Sequence, residues 1–173
     1  ETGFLKKEIK IKGDWCFNQR NTNPGGWAFQ FNNDYYPDVD DTALVGMFLD
    51  RYNRKKKNIK ITKCLERTRK WIISMQSKNG GWGAFDIDND KYYLNSLPFA
   101  DHGALLDPPT VDVSARCLSF LVQQNDKNNN LSIEKGLKYI LSEQEKDGSW
   151  FGRWGTNYIY CLLYTSPSPR DIG

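Results

Sequence analysis

The chain has 173 residues, of which 39% are hydrophobic and 26% charged, so it can bury a core and is not a disordered chain, a collagen or a coiled coil. Its net charge is +3, and the one dense basic run, residues 54–57, does not favour nucleic-acid binding. No apolar run could span a bilayer and no signal peptide opens the chain, so we expect a protein that is not secreted.

Apolar residues at helical spacing predict four helices, at residues 42–52, 63–75, 112–124 and 133–144. Strand patterns are scarce. Helices that alternate with turns and long aromatic loops indicate stacked helical hairpins, and therefore an all-α fold that closes into an α/α barrel (toroid) or a solenoid. Loops as long as residues 84–109 are often functional in compact folds.

A short sequence repeat follows two of the predicted helices. The pattern Q-x-x-x-G-x-W, here called the QW-type repeat, occurs at residues 76–82 and 144–150, and residues 19–27 form a looser copy with two extra residues. In the two strict copies an Asn-Gly or Asp-Gly pair predicts a turn at the end of a helix, after which the Trp packs back on that helix.

The cysteines are too widely spaced to form a metal-binding or redox pair, and one histidine, His102, cannot complete a zinc site. The sequence therefore predicts no metal site. We expect buried free thiols at Cys16, Cys64, Cys117 and Cys161.

The composition changes at Cys161, where a Ser- and Pro-rich segment replaces the helical pattern. We interpret the chain as a fragment and residues 161–173 as a tail that is either non-native or disordered. These residues are expected to make few tertiary contacts.

Three carboxylates, Asp38, Asp40 and Asp41, lie within four residues at the start of the first predicted helix. An Asp at this place is commonly a helix cap. A cap needs only one Asp, however, and three neighbouring carboxylates repel each other, so burial would raise the pKa of at least one of them. In an apolar cavity the cluster could then supply a general acid, and the two interpretations stay open.

Aromatic residues surround this cluster in the sequence and make up 14% of the chain. The commonest role of a single ring is core packing, but ring faces also attract cations. An acid and an aromatic cavity make chemical sense together, because the acid creates a carbocation and the rings shelter it. The rings considered are Trp27, Phe29, Phe31, Tyr35, Tyr36, Trp82, Phe85 and Phe99.

Asp112 and Arg116 are four residues apart on a predicted helix, a spacing that is typical of a solvated surface pair. They follow Pro108 and Pro109 and share their helix with an apolar face. An internal ion pair is therefore the alternative.

Taken together, several motifs resemble the squalene-hopene cyclases and the squalene-tetrahymanol cyclases. They are the QW-type repeats and residues 38–43, 79–86, 98–103, 107–109 and 148–155. The resemblance implies that residues 1–160 are part of the C-terminal α/α toroid domain of a longer, class II triterpene cyclase. It also implies squalene as the substrate, a pentacyclic hopene, hopanol or tetrahymanol as the product, and no cofactor. The implied location is the cytosolic face of a membrane or a lipid droplet, and a homodimer is possible.

The same resemblance implies roles for single residues. Asp40 resembles the proton donor, with Asp38 and Asp41 as flanking carboxylates. Asp112 resembles the acidic residue behind the donor, and Arg116 occupies the donor-activating position, where some members have His. Because Arg cannot shuttle a proton, reprotonation would use Tyr160 and water. The residues implied to line the cavity are Phe29, Phe85, Phe99, Trp154 and Tyr160.

Three other functions are weighed against this one. Diterpene class II cyclases share the Asp-x-Asp-Asp pattern. An α/α-barrel glycoside hydrolase also uses paired carboxylates and Trp platforms, but three Asp within four residues cannot straddle a sugar ring. The last alternative is a catalytically inert helical fragment.

Overall fold

The computed structural model describes residues 3–17, 22–30, 33–96 and 106–153. Within these ranges the chain forms helices and single antiparallel bridges but no strand. The all-α prediction is confirmed. The helices are α1 Gly3–Lys7, α2 Val39–Lys55, α3 Ile59–Ser74, α4 Val111–Gln124 and α5 Asn130–Ser142, with single 3₁₀ turns at Asp14–Cys16, Tyr92–Ser96 and Lys127–Asn129.

The four predicted helices are α2 to α5, and each begins earlier than its apolar pattern indicates. The first turn of α2 contains Asp40 and Asp41, and that of α3 contains Lys60, so the polar start of these helices does not contribute to the apolar period. Asn58 caps α3, because its side chain accepts a hydrogen bond from the Lys60 N–H. The five-residue α1 was not predicted.

The core lies where α2 packs against α3 and α4, and where α4 packs against α5. Trp71, Trp82 and Phe120 are fully buried. Each buried ring of this size contributes a few kcal/mol. Gly46 lets α2 approach α4, since a Cβ there would lie 2.6 Å from the Phe120 ring. No helix in the described ranges has the length and apolar character needed to cross a bilayer.

The Trp of each strict QW-type repeat packs back on the preceding helix, as predicted. The Trp82 indole N–H donates to the Ile72 carbonyl at 2.7 Å, and the Trp150 N–H donates to the Ile140 carbonyl at the same distance. Each bond gives a partner to a carbonyl in the last turn of a helix, where the regular i to i+4 helical bonds run out.

The Gln of each repeat closes its own turn. Gln76 donates through Nε2 to the Gly80 carbonyl at 2.8 Å, and Gln144 donates to the Gly148 carbonyl at 2.9 Å. Gln76 also donates to the Ser132 carbonyl on α5, at 2.9 Å. The first strict repeat is therefore tied to the next helical hairpin.

The turn glycines also differ between the copies of the repeat, because some lie tightly against a neighbouring helix and one does not. Gly80 and Gly148 both have positive φ, at 96° and 87°. A Cβ on Gly80 would collide with the Lys135 backbone of α5, and one on Gly25, in the looser copy, would lie 2.8 Å from the Arg67 carbonyl of α3. A Cβ on Gly148 would have only the Gln144 side-chain amide within 4 Å.

The contact between a repeat Trp and the helix after it is also repeated, at α2 and at α4. The Trp27 N–H donates to the Thr42 hydroxyl in the first turn of α2, and the Trp82 N–H donates to the Ser114 hydroxyl in the first turn of α4, both at 2.9 Å. As a result α2 and α4 begin at equivalent places, each held by a QW-type repeat.

Candidate active site

The start of α2 separates the roles of the clustered carboxylates. Asp38 has extended φ and ψ of −95° and 128°, and its Oδ1 accepts the Asp41 N–H at 3.0 Å. This is the geometry of an N-cap. The capping interpretation is therefore correct for Asp38, and it leaves the carboxylate of Asp40 free for another role.

Asp40 forms an ion pair with Arg116, which joins α2 to α4. Arg116 Nη1 lies 2.7 Å from Asp40 Oδ2, and the two side chains are 21% and 30% exposed. The internal ion pair of Arg116 thus reaches across to α2 rather than to Asp112 on its own helix.

One oxygen of Asp40 and one of Asp112 are buried without a hydrogen-bond partner among the described residues. In each case the atom is Oδ1. The two aspartates are the second residues of α2 and α4 and so hold equivalent positions. A buried unpaired carboxylate oxygen is costly, and protonation reduces that cost.

Burial dominates the electrostatics of the cluster. It raises the pKa of Asp40 to about 6, and the Arg116 guanidinium opposes the rise while Asp41 and Asp112 add to it. Burial raises the pKa of Asp38 to about 7, opposed by the Asp41 N–H. The pKa of Asp41 also rises through burial, again opposed by Arg116.

The best candidate for a general acid in this cluster is Asp40. Asp38 has a higher pKa, but its Oδ1 is held by the N–H of the helix that it caps. Asp40 has one oxygen without a partner, and after it gives up a proton its other oxygen stays paired with a cation. The unpaired oxygen is therefore the atom that would carry the proton of a protonated Asp40.

The two described residues that were expected to line the cavity, Phe29 and Phe85, lie in two separate cavities. Phe29 is 75% exposed and lines an apolar cavity of about 570 Å³ together with Asp41, Trp27 and Val45. Phe85 lines a different cavity of about 420 Å³, which includes Trp15, Tyr36 and Pro37. The described part of the chain does not bring Phe29 and Phe85 into one cavity. Phe31, Phe99, Trp154 and Tyr160 lie outside the described residues.

Asp107 is a residue whose role the sequence analysis missed. Its carboxylate accepts three consecutive backbone N–H groups: Ala84 at 3.1 Å, Phe85 at 2.6 Å and Asp86 at 2.7 Å. The signal in the sequence was an Asp directly before two prolines and a helix, which was used only as part of the resemblance.

The prediction of buried free thiols is confirmed for Cys64 and Cys117, whereas Cys16 is free but not fully buried. Burial raises the pKa of the Cys64 thiol to about 12 and that of Cys117 well above its ordinary value, so both stay protonated. Among the described residues no group of three or more His, Cys, Asp or Glu side chains could hold a metal ion. Cys161 lies outside them.

Asp38 both caps α2 and has a raised pKa, and together these lead to a stability prediction. Because burial raises its pKa from 3.8 to about 7, the folded state binds more protons than the unfolded state in that interval, and stability falls as pH rises through it. Asp38→Asn keeps a capping oxygen without the buried charge, so we expect it to be at least as stable as the parent at pH 8, with a flatter pH dependence. Asp38→Ala removes the cap and should cost about 0.5–2 kcal/mol. Urea unfolding at pH 5 and pH 8 checks both variants, and an Asn variant weaker than the Ala variant would contradict the cap.

These features define a class of protein: an all-α repeat protein in which QW-type repeats hold the starts of α2 and α4, with a half-buried acid paired to a guanidinium at the start of α2. The chain matches the family described as "Squalene-hopene cyclase C-terminal domain" over residues 2–166. It belongs to this family, so its helices are part of the terpenoid-cyclase α/α barrel that the sequence predicted.

Several relatives are similar over most of the chain. A squalene-hopene cyclase of Schizosaccharomyces japonicus is 62% identical over 152 residues, which are 88% of this chain and 23% of the relative. A squalene-hopene cyclase of Zymomonas mobilis is 52% identical over 94% of this chain and 26% of its own length. A dammaradiene synthase of Dryopteris crassirhizoma is 49% identical over 76% of the chain and 20% of its own length. The chain therefore spans about a quarter of these curated relatives.

Proposed function

We propose that the protein containing this chain is a class II triterpene cyclase, in which Asp40 protonates squalene to start cyclisation. The observation that carries the proposal is the buried, unpaired Oδ1 of Asp40 with Arg116 on its other oxygen. The relatives named squalene-hopene cyclase support the reaction class and the substrate.

In the proposed reaction the Asp40 proton moves to a terminal alkene carbon of squalene. The electron pair of the double bond forms the new C–H bond, and a cation remains on the more substituted carbon. Successive alkenes attack the cation and close rings. The cascade ends when the last cation loses a proton to water, or when it captures a water molecule that then passes its surplus proton to another water. The carboxylate that is left on Asp40 is stabilised by Arg116, which stays charged throughout.

The remaining features of the proposal follow from the substrate. Squalene is a hydrocarbon that partitions into lipid, so the whole protein is proposed to act on the cytosolic face of a membrane or on a lipid droplet, as a monomer or a homodimer. Proton loss gives a hopene-type product, the outcome of an isomerase. Capture of water gives a hopanol- or tetrahymanol-type alcohol, and the reverse of that step is a hydro-lyase reaction.

Phe29 and Phe85 are proposed to stabilise cations through their ring faces.

The function is tested by expressing the complete reading frame that contains this chain. The purified protein is incubated with squalene in detergent, and the products are identified by gas chromatography and mass spectrometry. A pentacyclic C30 product that is absent from the Asp40→Asn control supports the proposal. If squalene stays intact while a C20 diphosphate is cyclised, the protein is a diterpene cyclase instead.

The pKa of Asp40 predicts the pH dependence of turnover. A general acid must be protonated, so the fraction of active enzyme falls as pH rises above about 6, by about tenfold for each further pH unit. Because the Arg116 cation lowers the pKa of Asp40, Arg116→Gln should move this limb to higher pH, by about one unit or more. Initial rates from pH 5 to 8.5 measure the shift. A limb that stays in place in a folded Arg116→Gln variant would mean that another group is titrating.

A further inference from the structure

The loop at residues 83–89 is wrapped around Asp107. The Asp107 carboxylate accepts three N–H groups of the loop, and the Asp107 N–H donates to the Asn89 carbonyl at 3.2 Å. Gly83 makes the close approach possible, because a Cβ there would lie 2.6 Å from the Asp107 carbonyl oxygen. Hydrogen bonds from backbone N–H groups to an ionised carboxylate are stronger than neutral ones. One side chain therefore holds three consecutive residues of the loop, 84–86.

This loop is also bonded to the helix that carries the acid. The Ala84 carbonyl accepts the Val39 N–H at 2.8 Å, and Val39 is the first residue of α2. Asp107 itself lies just before the two prolines that lead into α4. The start of α4 is thus linked to the start of α2 in three steps: the short chain segment from α4 back to Asp107, the hydrogen bond from Ala84 to Asp107, and the hydrogen bond from Val39 to Ala84. The ion pair of Asp40 and Arg116 connects the same two helices.

We propose that Asp107 is a positioning residue for catalysis: by holding the loop that carries Phe85 against the first turn of α2, it keeps Asp40 and the Phe85 ring in a fixed relation. This inference rests on the proposed function. Asp107 acts through the loop, since its carboxylate oxygens are occupied by backbone N–H groups. Its loss should therefore change where the cascade ends as well as how fast it starts.

The chain offers a matched control for this inference. Asp147 also holds a turn by accepting a backbone N–H, that of Ser149, at 3.0 Å. It lies in the second strict QW-type repeat and is exposed, and its bonds do not lead to α2. Asp147→Ala removes a similar local interaction without touching the proposed linkage.

The experiment uses the complete protein with Asp107→Asn, Asp107→Ala and Asp147→Ala. Asn keeps the volume of the side chain, so it is the variant chosen to remain folded. Its amide nitrogen cannot accept a hydrogen bond, so at least one of the three N–H groups loses its acceptor. Two quantities are measured: the share of incompletely cyclised products formed from squalene, and the amide hydrogen exchange of peptides that cover residues 84–86 and Val39. We expect both Asp107 variants to increase the share of partly cyclised products, with exchange at residues 84–86 at least about tenfold faster, as loss of charged hydrogen bonds implies.

The outcomes separate this inference from the proposed function. Faster exchange at residues 84–86 and Val39 with a shifted product distribution, neither seen in Asp147→Ala, supports the positioning role. Unchanged exchange would overturn it. Faster exchange with the parental product distribution would also overturn it, because Asp107 would then serve only stability. A parent protein that forms no product from squalene refutes the proposed function and, with it, a catalytic positioning role, whatever the exchange data show for the loop.

Discussion

Asp40→Asn is expected to lower squalene turnover of the complete protein by at least about a hundredfold, the smaller end of what general acid catalysis contributes. Asparagine preserves the size of the side chain and can still accept from Arg116, but it has no transferable proton. The helix should remain intact because the cap belongs to Asp38. Turnover is measured as C30 product formed per enzyme at pH 6.

Two further variants give this result its meaning. Asp112→Asn should reduce turnover less, because Asp112 affects the donor through the charge environment of Asp40 rather than through the substrate. Near-parental turnover by a folded Asp40→Asn protein would return the cluster to a purely capping role. Circular dichroism of each variant establishes that the fold is retained.

Gly80→Ala is expected to be among the most destabilising single-atom additions in this chain, at about 2–5 kcal/mol. A left-handed backbone at a non-glycine residue costs about 1–2 kcal/mol, and overpacking against neighbouring atoms typically adds about 1–3 kcal/mol. In this case the added methyl would meet the Lys135 main chain, which α5 holds in place. The turn could then keep its contact with α5 only by shifting that helix.

Gly148→Ala is the matched control, since its backbone has a similar positive φ but its Cβ would meet only the end of the Gln144 side chain, 3.8 Å away. We expect this variant to lose only the conformational part, about 1–2 kcal/mol. Urea unfolding of the 173-residue chain compares the two. Equal losses would show that the Gly80 turn does not bear on α5 as the structure has it.

Much of the architecture could be predicted from local sequence. Apolar periodicity located α2 to α5, and the strict QW-type repeats located the turns that follow α3 and α5, because helix periodicity and turn chemistry depend on neighbouring residues. Helix starts were less accurate, since α5 begins at Asn130, before its first periodic apolar residue, Ile133. The prediction of a tail at residues 161–173 stays a prediction.

The sequence by itself determined the chemical content of the candidate site: three carboxylates at one helix start, with aromatic residues nearby. Only the tertiary structure showed which residue has which contacts. Asp38 caps α2, Arg116 pairs with Asp40 rather than with Asp112, and Phe29 and Phe85 line separate cavities. Such choices depend on how α2 and α4 approach each other, and that approach is decided by contacts distant in sequence, such as Gly46 against Phe120 and Asp107 against the loop at residues 84–86.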